Sequence, residues 1–291
     1  MQIRYPVVAG SFYEGSDSAC RASLAKYIPK SVSCAGLPER IVAGIVPHAG
    51  WMFSGAVAGK VFRAIAQQGE PEVFVLFGAM HRDAAQTGGM FAEGAWRTPL
   101  GDVRVDERLA KRILSNTNLI ESNARVHVDE HSLEVIVPFI QYLFPETKIL
   151  PIAVPPVLQA HEIGEAVGRT ISAEGASAVC IGSTDLTHYG PGYGFAPEGP
   201  GQKGIDWARE VNDKSLIDLI CRMDAEKVVT QAQADRSACG SGAVAATIGA
   251  ARQSGAKRAV VLSHVSSAEV TEQLWGRQSS ESVGYAGIVF G

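Results

Sequence analysis

The chain has 291 residues, 46% of them hydrophobic and 19% charged, and a formal net charge of −4. That apolar content excludes a disordered chain, which would be charge-rich and short of hydrophobic residues, and the acidic balance gives no support to electrostatic binding of nucleic acid. The length suits one large α/β domain, since such domains often reach ~250 residues.

The opening segment, MQIRYPVVAGSFYEG, carries charge and glycine and lacks the apolar core of a secretion signal. No run of ~18 apolar residues follows, so no membrane-spanning helix is expected. Cys20, Cys34, Cys180, Cys221 and Cys239 are odd in number, dispersed and free of any CxxC pair. That pattern argues against a disulfide framework or zinc ribbon and predicts a cytoplasmic protein. Short apolar runs rich in Val or Ile recur at 41–47, 73–78, 149–154, 178–182, 259–263 and 283–290. Each reads as a strand buried on both faces. Helix-length segments lie between them at 54–67, 106–114, 131–144, 159–173, 206–220 and 242–252. The alternation predicts a single α/β domain spanning 1–291, with a central, mostly parallel sheet and helices on both faces. The Gly- and Pro-rich stretch Tyr189–Gly204 reads as a long loop of the kind that often serves as a lid or binding loop.

Ligands in open α/β sheets bind beyond the carboxyl ends of the strands, so the residues that follow each strand carry the chemistry. His48 follows the first run, His81 the second, Asp185 and His188 the fourth, and His264 closes the fifth. His48 and His81 are the best metal-ligand candidates, because imidazole is the commonest protein ligand for zinc, iron and copper. Cys239, in a glycine-rich loop entering a helix, is placed where a helix dipole would favour its thiolate, as soft metal ligand or as nucleophile. Asp185 and His188 could face one cavity as a proton-transfer pair, or Asp185 could cap a short helix starting near Leu186. Asp129, Glu130 and Glu134 read as capping chemistry for a helix that carries His131, which is either structural or catalytic. His127 and His161 read as surface positions.

Taken in order, several motifs resemble the Memo family, whose fold is similar to that of class III extradiol dioxygenases. They are Arg4-Tyr5-Pro6, Ala9-Gly10-Ser11-Phe12-Tyr13, Pro47-His48-Ala49-Gly50, Gly78 with His81, Arg97-Thr98-Pro99-Leu100-Gly101-Asp102, Asp129-Glu130-His131-Ser132-Leu133-Glu134, Ser183-Thr184-Asp185 with His188, and Cys239-Gly240. The resemblance implies a metal cavity at the strand ends, held by His48, His81 and Cys239, with Asp185 and His188 lining it. The related dioxygenases hold Fe(II) with two histidines and a glutamate, so Cys239 is a departure, and a thiolate favours copper or a differently tuned iron. Arg82 and Ile136 stand where relatives can carry further histidines. The expected function is a metal-dependent oxidoreductase, with Fe(II) first and copper or zinc as other candidates. It would act on a small, unidentified substrate, with Asp185 and His188 managing protons and His131 as a third polar wall. One alternative is a non-catalytic adaptor, since some eukaryotic members are discussed as binding phosphotyrosine peptides in this cleft. Another is a nucleophilic Cys239 with His188 as its base. Neither nucleic acid nor membrane is expected as a partner.

Overall fold

The computed structural model describes residues 1–82 and 85–291. Twelve strands occur among them: β1 Ile3–Arg4, β2 Ala43–Val46, β3 Val73–Gly78, β4 Gly88–Met90, β5 Ala95–Thr98, β6 Gly101–Arg104, β7 Ile120–Ser122, β8 Lys148–Ala153, β9 Ala178–Ser183, β10 His188–Tyr189, β11 Ala259–Ser266 and β12 Ser282–Phe290. The main sheet runs β10-β12-β2-β9-β3-β8-β4-β7, with β11 also paired to β12, and β1, β5 and β6 form a small separate sheet. Its centre, β2-β9-β3-β8, is parallel. Towards the edges β12 runs antiparallel to β2 and β4 antiparallel to β8. The sheet as a whole is therefore mixed, and the parallel expectation holds for its centre. All six apolar runs are strands, because each offers β-branched or aromatic residues to helices on both faces.

Ten helices accompany the strands: α1 Asp17–Tyr27, α2 Trp51–Ala66, α3 Glu107–Asn116, α4 Val137–Leu143, α5 Ala160–Glu174, α6 Gln202–Trp207, α7 Lys214–Cys221, α8 Ala225–Asp235, α9 Ser241–Gln253 and α10 Ser267–Trp275. Ile45 pairs with Gly182, so both look to one face, and Gly182 lies against Thr247 of α9. Gly44 looks the other way, onto Val61 of α2. Helices thus cover both faces, and one continuous core runs from Tyr13 to Phe290.

Two helices start or run differently from expectation. The 131–144 helix begins only at Val137, because Pro138 lacks an N–H and its ring cannot sit inside a longer helix. Residues 132–136 form turns instead. The 206–220 segment is helical but is broken by a π-helical stretch, Ala208–Asp213. The Tyr189–Gly204 stretch is pinned: Tyr189 is buried and its hydroxyl donates to the Gly199 carbonyl at 2.8 Å.

The closest helix packing is α5 against α9, where Gly164 meets the Ala246 backbone. Any side chain there would run into the Ala246 carbonyl. Gly164→Ala is expected to cost about 1–3 kcal/mol by overpacking, read as a lower urea midpoint at unchanged slope.

Candidate metal centre

β2, β9 and β3 lie side by side and point the same way, so their carboxyl ends open into one place. His48 follows β2, His81 follows β3 and Asp185 follows β9, and all three line a cleft of about 570 Å³. His131, His188 and Cys239 line it too. A larger cleft, about 680 Å³, opens at the opposite end of β3, beside Glu72 and Val73, and contains none of these groups.

The nitrogens of His48, His81 and His131 lie within 4.8 Å of one another. The rings of His81 and His131 stack at 5.1 Å, and His48 stands edge-on to both, at 5.3 Å and 5.4 Å. Hydrogen bonds fix the tautomers of two of them. Ser183 Oγ donates to the Ser132 carbonyl at 2.7 Å, which leaves it free to accept from His48 Nδ1 at 2.9 Å. The Glu130 carboxylate accepts from His81 Nδ1 at 3.0 Å. Each ring therefore carries its proton on Nδ1 and keeps the Nε2 lone pair, the arrangement usual for a metal-bound histidine with an outer partner. Burial, then the proximity of His81 and His131, holds His48 well below the usual imidazole range. His131 is also lowered by burial, against the opposing pull of Glu130. Imidazoles that stay neutral are what a cation requires.

Cys239 lies just before α9, whose first residue is Ser241. Its sulfur is 3.2 Å from His48 Nε2 and 3.6 Å from the Asp185 carbonyl. Burial, followed by the Asp185 charge, pushes its thiol up to about 12. In the metal-free chain burial thus disfavours the thiolate expected at this helix start. The imidazole beside the Cys239 sulfur is that of His48 rather than that of His188. A bound cation would reverse the pKa logic, because a coordinating thiol is deprotonated.

Asp185 and His188 share the cleft without pairing. Asp185 Oδ1 accepts the His48 and Ala49 amides at 2.8 Å and 3.2 Å, bracing the turn after β2. Burial raises its carboxyl to about 7, against those two amides. No helix starts at Leu186, because residues 188–189 pair with β12 instead, so Asp185 caps nothing. His188 Nδ1 lies 3.0 Å from the Leu186 carbonyl, which can only accept, so the proton sits on Nδ1 and Nε2 is bare. Burial lowers its pKa.

An Asp185 pKa raised from 3.8 to about 7 disfavours folding once the carboxyl ionises. Its contribution is fully present below the unfolded pKa and is lost as pH rises through the folded one. Asp185→Asn keeps an oxygen for both amides and removes the charge. The metal-free variant is expected to be more stable than the parent at pH 8 by roughly 2–3 kcal/mol, the gap narrowing as pH falls and vanishing below about 3.9. Urea unfolding at several pH values measures it.

Glu130 and Glu134 do not cap a helix. Glu130 holds the His81 ring and amide and accepts the Ser132 amide at 2.9 Å. Although burial pushes its carboxyl upwards, the hydrogen bonds it accepts from His81 and Ser132 hold it well below the usual range. Glu134 anchors the amino-terminal segment: it pairs with Arg4, accepts the Val7 and Val8 amides and takes the Tyr13 hydroxyl. Arg4 in turn donates to the His127 and Glu130 carbonyls. The roles of Arg4, Tyr13 and Ser183 carry no sequence signal beyond the motifs that contain them. His127 is buried, not at the surface, with Nε2 bonded to the Gly89 carbonyl at 2.9 Å and its pKa lowered to about 4 by burial. His161 is partly exposed. His264 is no strand-exit residue: β11 runs on to Ser266, and its Nε2 meets Asp213 at 3.1 Å, away from the cleft.

A family model described as Memo-like protein matches residues 4–289. A MEMO1 family protein of Thermococcus onnurineus is 36% identical over 298 residues, covering 99% of each chain. One of Pyrococcus horikoshii is 35% identical over 296 residues, covering 98% of each. A solved structure of an uncharacterized protein from Escherichia coli K12 shares the fold, with a TM-score of 0.54 at 10% identity over 87% of this chain and all of that one. Among the described residues no helix is long and apolar enough to cross a membrane. The chain belongs to the Memo-like protein family.

Proposed function

We propose that the chain is a metal-dependent oxidoreductase, dioxygenase-like in chemistry, acting on a small substrate in the strand-end cleft. The observation that carries this reading is the pair of Nε2 lone pairs, on His48 and His81, held by Ser183 and Glu130 beside His131. The donors fit a borderline cation: Fe(II) first, with copper or zinc as the other candidates. His48 and His81 would hold it, with His131 as third donor on spacing and Cys239, beside His48, as the competing one. When bound, such an ion supplies Lewis acidity and, for iron or copper, electron transfer.

The remaining residues bind, orient and move protons. His188 presents a bare Nε2 to the cleft and is kept neutral by burial, which suits it to take a proton from a substrate hydroxyl. Asp185, poised near neutrality, fixes the His48 turn and can hold or release a proton beside it. Phe12 stands edge-on to His131 at 5.1 Å and lines the cleft beside it. The unpaired cysteines accord with a reducing, cytoplasmic setting.

The competing reading is an adaptor that binds a peptide or small ligand in the same cleft without turnover. Oxygen uptake by the Fe(II)-reconstituted chain, with a panel of small phenols and amines, separates the two. The proposal expects substrate-dependent uptake that His48→Ala abolishes. Ligand binding with no uptake under any of the three metals would favour the adaptor.

A further inference from the structure

The mouth of the cleft is negative and aromatic. Among its described lining residues there is no lysine or arginine, and the acidic groups are Asp185 on the floor and Glu281 at the rim. Glu281 precedes β12, and its side chain packs on Gly190 and Gly192, where any larger residue would displace it. Its Oε1 accepts the Gly192 amide at 2.7 Å, which fixes where the carboxylate stands. No lysine or arginine among the described residues forms an ion pair with it. The turn it holds presents Tyr193, whose ring stands edge-on to His188 at 5.2 Å. Gly192, whose amide Glu281 holds, directly precedes Tyr193, so carboxylate and phenol share the rim, and burial and then the Glu281 charge raise the phenol. Phe12, Phe53 and Tyr285 complete the aromatic wall.

A fixed carboxylate without a cationic partner, next to an aromatic face, is a receptor for a cation: Coulomb attraction and the ring quadrupole both favour positive charge. The same groups repel a carboxylate or phosphate, which would meet Glu281 with no basic side chain among the cleft's described lining residues to offset it, the guanidinium of Arg236 being taken up by the Tyr193 and Gly194 carbonyls. A cleft of about 570 Å³ is in the range that encloses a small organic molecule. We infer that the ligand of this cleft is a small arylalkylamine, its ammonium at Glu281 and Tyr193, its ring among Phe12, Phe53 and Tyr285, and its far end towards the histidines. The inference rests on the reading of the cleft as a substrate site and names the class of substrate. It runs against an anionic phosphotyrosine peptide as occupant.

The test compares tyramine with 3-(4-hydroxyphenyl)propionate, which share the phenol and carry opposite charges. Binding to the untagged chain is followed by calorimetry near neutral pH, with metal content measured on the same samples. Tyramine should bind at least about tenfold tighter, a difference of 1.4 kcal/mol, and the gap should shrink at high salt. Glu281→Gln keeps an oxygen for the Gly192 amide, so the turn should persist, with an unchanged thermal midpoint. It should weaken tyramine binding about fivefold and, by removing the repulsion, tighten binding of the propionate. Equal affinity, preference for the anion, no binding of either probe, or tyramine binding indifferent to Glu281→Gln would overturn the inference. Charge-selective binding by a chain that takes up no metal would sink the oxidoreductase reading alone. Metal-dependent oxygen uptake with anionic substrates only would sink this inference alone.

Discussion

Glu134→Ala is expected to destabilise the fold by about 3–5 kcal/mol, the usual cost of breaking a buried ion pair from one side. Both partners are nearly inaccessible, Arg4 at 5% exposure and Glu134 at 1%. Removing the carboxylate leaves a buried guanidinium uncompensated. It also strips acceptors from the Val7 and Val8 amides and the Tyr13 hydroxyl. Glu134→Gln, which keeps an oxygen but not the charge, should fall between the variant and the parent. The effect should reach the candidate metal site, because Arg4 holds the Glu130 carbonyl and Glu130 holds His81. Metal affinity in Glu134→Ala is therefore expected to drop alongside the urea midpoint. A loss below about 1 kcal/mol, the size of an exposed pair, would show that the amino-terminal strap is not anchored as described.

The second large effect separates ligand from base. His48→Ala should lose the ion, falling from about one per chain to near none, because His48 is buried and its Nε2 has no other role than to face the cluster and Cys239. His188→Ala should keep the ion and lose turnover, by ~10²–10⁴-fold for a general base. The distinction follows from position: His188 is bonded through Nδ1 to its own strand and lies outside the compact imidazole group. If His188→Ala empties the site as fully as His48→Ala, His188 is a ligand and the proton-transfer role is wrong.

The centre of the fold was legible because buried strands announce themselves. Val73–Gly78 and Ala178–Ser183 are continuous apolar runs, and α5 and α9 lie where amphipathic or small-residue segments predict them. The edges were not. Helix α1 has a weak apolar face, β1 and β10 are two residues long, and β4 and β7 are three, too short for any periodicity to register. In the candidate site, the strand-end rule pointed to His48, His81, Asp185 and His188, the local sequence around two helix starts to His131 and Cys239, and all six line one cleft. It misplaced His264, since nothing in Ala-Val-Val-Leu-Ser-His-Val-Ser marks where the strand stops. His127 was misread because its burial depends on packing beneath Trp96 and Phe91, contacts distant in sequence. The outer partners, Ser183 for His48 and Glu130 for His81, depend on two loops meeting, and spacing alone does not reveal that.

The most direct test of the central claim is the metal content of the untagged chain, purified without oxygen and then offered Fe(II), Cu(I) and Zn(II) in turn, beside His131→Ala and Cys239→Ser. The account predicts about one tightly held ion per parent chain for at least one metal, lost in His131→Ala and retained in Cys239→Ser. A parent that binds none of the three, or an ion that survives His131→Ala and departs with Cys239→Ser, would contradict the three-imidazole centre.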